Sequence, residues 1–153
     1  MPRPLVVGNG ELLVNFDERL ALRDLYYPHV GMLNHSQGER NLLGIWVDGR
    51  FSWLDEGTWS RRPGYRPGSP VTDVRATNQE LGLEVKINDV VHHRLPIYIR
   101  RVEVSDLHGH AREVRLFFTA DFCLDETDVG DTAVFDPSAG GVFHYKRGRN
   151  FTD

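Results

Sequence analysis

The stretch Glu80-Leu81-Gly82-Leu83-Glu84-Val85-Lys86-Ile87-Asn88 decides the fold class. Leu81, Leu83, Val85 and Ile87 recur at every second position, with Gly82, Glu84 and Lys86 between them. Successive side chains of a strand point to opposite faces, so this rhythm predicts a half-buried strand with one apolar face. Outward from it, residues 112–121 repeat the pattern: Val114, Leu116, Phe118 and Ala120 form one row, and Glu113, Arg115, Phe117 and Thr119 the other. Leu12, Val14 and Phe16 make a third apolar row. No window carries a capped apolar stripe at helical spacing.

Turn chemistry falls between these runs. Asn9-Gly10 separates residues 5–7 from 11–16, and Asp48-Gly49 separates 43–47 from 50–54. Asp-Gly suits a type I′ hairpin because both central residues need positive φ. Residues 17–19, Asn88-Asp89 and residues 107–110 read as further reversals. The spacing predicts about ten strands in an all-β, antiparallel two-sheet sandwich. Residues 97–105 change phase: Ile97 and Ile99 fall on one face, Val102 and Val104 on the other. A bulge near Arg100-Arg101, or a strand passing between sheets, is the expected cause. Residues 28–41 and 56–70 read as long irregular loops, which more often serve a site or an interface than a plain connection.

At 153 residues the chain is expected to form one domain, residues 1–153. Its net charge of −4 gives no long-range attraction for phosphate backbones, so nucleic acid is not an expected partner. The first residues lack the apolar run of a secretory signal, and no segment approaches a membrane span. The expectation is a cytoplasmic protein without a membrane partner. Cys123 is the single cysteine, so no intrachain disulfide forms, and it reads as a core residue rather than a nucleophile.

Candidate chemistry is sparse. His92-His93 read as strand neighbours on opposite faces, and His108 and His110 offer two ligands at best, so no metal and no other cofactor is expected. The acidic residues Asp121, Asp125, Glu126, Asp128 and Asp131 miss the EF-hand spacing and read as a loop that bonds its own backbone. Nucleophile-elbow, P-loop and dinucleotide motifs are absent from the sequence, and no carboxylate pair stands in a distinctive setting, so no catalytic residue is assigned. Trp46 and Trp53 are expected in the core; Trp59, among glycines and prolines, is the expected surface indole, with Tyr65 nearby. The loop from Asp24 to His35 is dense in functional groups: Tyr26, Tyr27, His29, Asn34 and His35 are candidates for a substrate contact or a domain interface. The plain alternative is a stiff loop that satisfies itself.

With these residues in view, the chain resembles the N-terminal domain of glycoside hydrolase family 15 proteins: bacterial and archaeal glucoamylases, glucodextranases and trehalases. The stretches that carry the resemblance are Gly8–Asp17, Arg23–Gly31 with Asn34-His35, Trp46–Phe51, Asp128–Ala133 with Asp136-Pro137, and His144-Tyr145-Lys146. It implies a β super-sandwich, galactose-mutarotase-like in general architecture, ahead of a catalytic (α/α)6 barrel. The family's inverting mechanism uses two barrel glutamates separated by about 6.5–9.5 Å, and no position here matches them. The resemblance thus implies a non-catalytic accessory domain that packs against the barrel and shapes its active-site rim. The alternative is a free-standing carbohydrate-binding or interaction sandwich whose ligand is an α-glucan or oligosaccharide. The family's sandwich is longer than this chain, which ends Asn150-Phe151-Thr152-Asp153. An incomplete sandwich leaves an edge strand and an apolar face uncovered, so a homodimer through that edge is a further expectation.

Overall fold

The computed structural model describes residues 3–146; the expectations placed on Met1-Pro2 and on residues 150–153 lie outside them. The described chain is all-β. Its strands are β1 (Leu5–Gly8), β2 (Leu13–Phe16), β3 (Leu22–Tyr26), β4 (Leu43–Val47), β5 (Arg50–Trp53), β6 (Ser60–Arg62), β7 (Val74–Asn78), β8 (Leu83–Val91), β9 (Tyr98–Asp106), β10 (Val114–Phe118), β11 (Asp131–Asp136) and β12 (Gly141–Lys146). A 3-10 turn at Leu124–Glu126 is the one helical element among the described residues. The strands form four small sheets, ordered β1-β2-β3, β10-β4-β5, β6-β7-β8-β9 and β11-β12, and every pairing is antiparallel.

The turns do what their residues predict. At the β4–β5 hairpin Asp48 and Gly49 have φ of 47° and 78°, the left-handed pair that lets two residues reverse a twisted ribbon. Between β1 and β2 the Asn9 Oδ1 accepts the Glu11 and Leu12 amides, and its Nδ2 donates to the His92 and Leu95 carbonyls across the molecule. Asp17 Oδ1 accepts the Arg19 and Ala21 amides in the β2–β3 turn.

Three sheets share one core. Leu5, Val7, Val14, Phe16 and Leu22 meet Leu43, Ile45 and Val47, and both sets meet Val74, Ala76, Leu83, Val85, Ile87 and Val91. Burying each such side chain contributes roughly 1.5–3 kcal/mol. The decisive strand alternates buried and half-buried residues along its whole length, Leu83 to Val91.

Four local expectations are corrected. Asn88-Asp89 is not a reversal: both lie within β8, opposite Arg101 and Arg100, and the chain turns at residues 92–97 instead. No bulge interrupts residues 98–106, whose register with β8 is continuous. The phase change arises because Arg100, not Ile99, faces inward. His92 and His93 are turn residues with rings 4.6 Å apart rather than strand neighbours on opposite faces. The loop at 56–70 contains the three-residue strand β6, paired with β7.

An ion pair sits inside this core. Asp89 is 1% exposed in the inward row of β8. Its carboxylate accepts from the Arg100 Nε at 2.6 Å, from the Tyr98 hydroxyl and from the Thr72 Oγ1 at 3.3 Å. The Asp89 amide in turn donates to Thr72 Oγ1 at 2.6 Å. The Arg100 guanidinium lies 5.1 Å from the Phe16 ring, joining β9 to β2. Arg100→Met, which strands Asp89 without its cation, is expected to lower unfolding free energy by about 3–5 kcal/mol. Urea denaturation followed by fluorescence measures it; a loss below 1 kcal/mol would show that the pair does not anchor the core.

Candidate functional site

The end of β3 divides the candidate loop between two sides of the chain. Asp24 and Tyr26 point one way, Leu25 and Tyr27 the other, as consecutive residues of a strand must. Tyr27 lines an apolar hollow of about 390 Å3 together with Leu12, Leu25, Pro96 and Leu124. Tyr98, Phe122, His35 and His144 complete its wall. Tyr26 lines a polar hollow of about 520 Å3 with Arg3, Asp24, Asn34 and Glu126.

Most polar groups of this loop are engaged in holding it. The Asn34 Nδ2 donates to Asp24 at 2.9 Å, and its Oδ1 accepts the Leu25 and Ser36 amides. His35 is buried; its Nε2 lies 2.6 Å from the Tyr27 carbonyl, and its Nδ1 accepts the Asp125 amide at 3.1 Å. A carbonyl takes only a donor, so the neutral, Nε2-protonated tautomer satisfies both contacts. The His35 carbonyl accepts the Cys123 amide, and Glu126 Oε1 accepts the Asn34 amide at 2.8 Å. Asn34 and His35 therefore bond the turn at 123–126 at Cys123, Asp125 and Glu126.

The remaining candidates are dispersed. His29 is exposed at the loop tip, beside exposed Val30 and Met32. The Tyr65 hydroxyl accepts the Val6 amide and donates to the Val6 carbonyl, completing the free edge of β1 like a short extra strand. Trp59 is not the surface indole its neighbours suggest: it is 3% exposed, and its Nε1 donates to Ser52 Oγ at 2.9 Å. The other two indoles, expected in the core, are only partly covered. Trp46 and Trp53 lie half-buried on the outer face of β4 and β5, where Phe51 meets Trp53 and Phe117 edge-on and Arg115 covers Trp46. Gly44 sits beneath this cluster; a Cβ there would lie 2.5 Å from the Phe51 ring. Sequence reading missed this aromatic face. Its signal was the alternation itself, which sets Trp46 out of phase with Ile45 and Val47.

Glycoside hydrolysis needs one carboxyl held protonated near neutral pH beside a second one that stays ionised. The apolar hollow has no carboxylate in its wall. The polar hollow has Asp24 and Glu126, but Asp24 is the reverse of an acid catalyst. Burial alone would raise its pKa, yet hydrogen bonds from Arg3, Asn34 and Asn15 together hold it below the ordinary 3.8. What the apolar hollow offers is aromatic walls with the Tyr27 hydroxyl and the His144 imidazole, neither hydrogen-bonded among the described residues. Such walls can pack against a ring and hydrogen-bond to its edge.

Cys123, Asp128 and Asp131 bring their ligand atoms within 4.8 Å of one another. The Lys146 ammonium lies 3.6 Å from Asp131 and also donates to the Leu124 and Thr127 carbonyls, so the cluster already holds a cation. Burial, then the neighbouring Asp128 carboxylate, push the Cys123 thiol up to about 11.

Comparison of the chain with protein-family models, curated proteins and solved structures found no match. The functional reading rests on the site and on the exposed surfaces.

Two outcomes are expected. Because folding lowers the Asp24 pKa, its stabilising contribution is complete above the ordinary 3.8 and disappears as pH falls through the lower folded value. Arg3→Ala should move the midpoint of acid unfolding, followed by circular dichroism, to higher pH. Second, Cys123 should resist alkylation by iodoacetamide at pH 8, with the rate in folded protein climbing only toward pH 11.

Proposed function

We propose that the chain serves as a non-catalytic accessory domain of a family 15 α-glucoside hydrolase, the leading part of a two-sheet super-sandwich that packs against a catalytic (α/α)6 barrel. The observation that carries this reading is apolar surface left in solvent. Leu116 and Phe118 lie in the same row as Val114, on the side of the β10-β4-β5 sheet that carries buried Ile45 and Leu43, yet Phe118 is 60% exposed. The β11–β12 hairpin exposes Val134, Phe135, Val142 and Phe143, with Phe135 at 63%. The hairpin exposes a Val134–Phe143 pair on one face and a Phe135–Val142 pair on the other, and exposed apolar surface of this kind is what a covering body buries. The unpaired edges of β9, β10 and β12 lie in the same part of the sequence and supply backbone groups for added strands.

The clamped loop gives the domain its second role. Residues 34–36 fix the base, His29 is exposed at the tip, and Tyr26 and Tyr27 line the polar and the apolar hollow on its two sides, a stiff element for the rim of a neighbouring active site. Without a barrel, the same apolar strips are the seat for a second copy of the chain.

The outer aromatic face favours a second reading, a carbohydrate-binding sandwich that uses Trp46, Trp53 and Phe51 in place of Trp59 and Tyr65. Its rings meet edge-on, at 86° for Phe51 and Trp53, so they present no single flat plate to a sugar chain.

The accessory reading predicts no turnover of maltose, starch or trehalose by the purified chain, and no heat on titration with malto-oligosaccharides. It also predicts a stable complex with a family 15 barrel produced without its own N-terminal domain, lost in Phe118→Ser/Phe135→Ser. Turnover that copurifies with the chain would overturn it. Micromolar sugar binding abolished by Trp46→Ala would establish the second reading instead.

A further inference from the structure

The outer face of the β6-β7-β8-β9 sheet carries a charge arrangement that folding alone does not favour. Register sets Arg62 directly opposite Arg75, and Arg75 directly opposite Lys86. Like charges placed directly opposite each other across an antiparallel pair are destabilising. The neighbouring acids do not cancel all three cations. Glu84 lies 3.7 Å from Lys86, and Glu103 pairs with Arg101. Asp73, two residues before Arg75, makes no ion pair with either arginine, and Arg66 donates to Asn88. Arg62 and Arg75 are thus left side by side, with no hydrogen bond or ion pair to any described residue.

The next row supplies neutral donors. Ser60 and Thr77 are opposite partners on the same face, one pleat away from the arginines. Together with Arg62, Arg75 and Gln79 they line a polar hollow of about 330 Å3, closed on one side by the Lys86-paired Glu84. The Ser60 and Thr77 hydroxyls and the Gln79 amide are likewise without a hydrogen bond among the described residues. Two arginines on adjacent strands and two hydroxyls thus line one small volume, with the Glu84 carboxylate at its border.

We infer that this hollow is an oxyanion site, which takes the tetrahedral group of a phosphate or sulfate ester between Arg62 and Arg75. Guanidinium forks match such oxygens bidentately, and charge-assisted hydrogen bonds are the stronger kind. The anion would also remove the repulsion between the two arginines, so binding and stability are linked. The site is independent of the proposed barrel contact, because it lies on β6 and β7 whereas the uncovered apolar residues lie on β10 to β12.

The test is a nuclear magnetic resonance titration of the full chain with inorganic phosphate at ionic strength held constant with chloride, observing the arginine Nε–Hε signals. Saturable shifts at Arg62 and Arg75 with phosphate and not with chloride are expected. Arg62→Gln and Arg75→Gln should each weaken binding about tenfold, the loss expected when one charge-assisted contact goes. Both side chains are solvent-facing, so the variants should melt no lower than the parent; a merely structural role would lower the midpoint. Parallel titrations with sulfate and with glucose 6-phosphate separate the source: tighter binding of the sugar phosphate than of inorganic phosphate places the ester's remainder over Ser60, Thr77 and Gln79. Shifts that chloride reproduces, or phosphate-induced shifts of the Ser60 and Thr77 backbone amides that persist unchanged in the double variant, would overturn the inference.

Discussion

One carboxylate in an apolar row sets the conditions for the rest of this fold. Asp89 occupies a position that alternation reserves for a hydrophobic residue, between Ile87 and Val91 on the inward face of β8. Left unpaired there, its charge would cost several kcal/mol. It becomes tolerable only because Arg100 stands directly opposite on β9, Tyr98 and Thr72 donate to the remaining lone pairs, and Phe16 offers its ring face to the guanidinium. A slip of one residue between β8 and β9 would present Ile99 or Arg101 to Asp89 and turn Arg100 to solvent. The pair therefore specifies register as much as it stabilises, and through Phe16 it ties the β6–β9 sheet to β1–β3.

The same logic repeats at the candidate loop. Asp24, Asn34, Ser36 and His35 form a buried or half-buried polar set in which nearly every donor meets an acceptor. Such a set is rigid because breaking any member exposes a partner to burial without a hydrogen bond. Functional groups that make the loop conspicuous are thus divided between a structural base and an outward tip. Tyr27 belongs to both: its carbonyl receives His35, while its ring lines the apolar hollow.

The surface divides into regions of different character. The outer face of β10-β4-β5 is aromatic, and the outer face of β6-β7-β8-β9 is charged, with two arginines left uncompensated. The last third of the described chain exposes apolar side chains on β10, β11 and β12. Only the last includes residues such as Leu116 and Phe118 that sit on the core side of their own sheet and are nonetheless exposed. The aromatic and charged faces, by contrast, are turned away from the shared core.

Alternation of apolar and polar residues by itself determined the all-β class, because a two-residue period suits only a strand. Turn residues determined the hairpin at Asp48-Gly49, since positive φ at both positions is a local steric matter. Both are decided within a few residues and need no distant partner. Asp89 and Arg100 were each visible as a break in rhythm, but local reading turned one into a reversal and the other into a bulge. Only pairing across β8 and β9 shows that the two breaks answer each other. Likewise the composition around Trp59 argued for exposure, yet the indole packs in the core, where Ser52 of β5 accepts its N–H. Which tryptophan is covered, which arginines stand side by side and which groups of the loop are engaged depend on how separate elements pack together. Tertiary structure decided these, because burial and charge compensation are properties of neighbours in space.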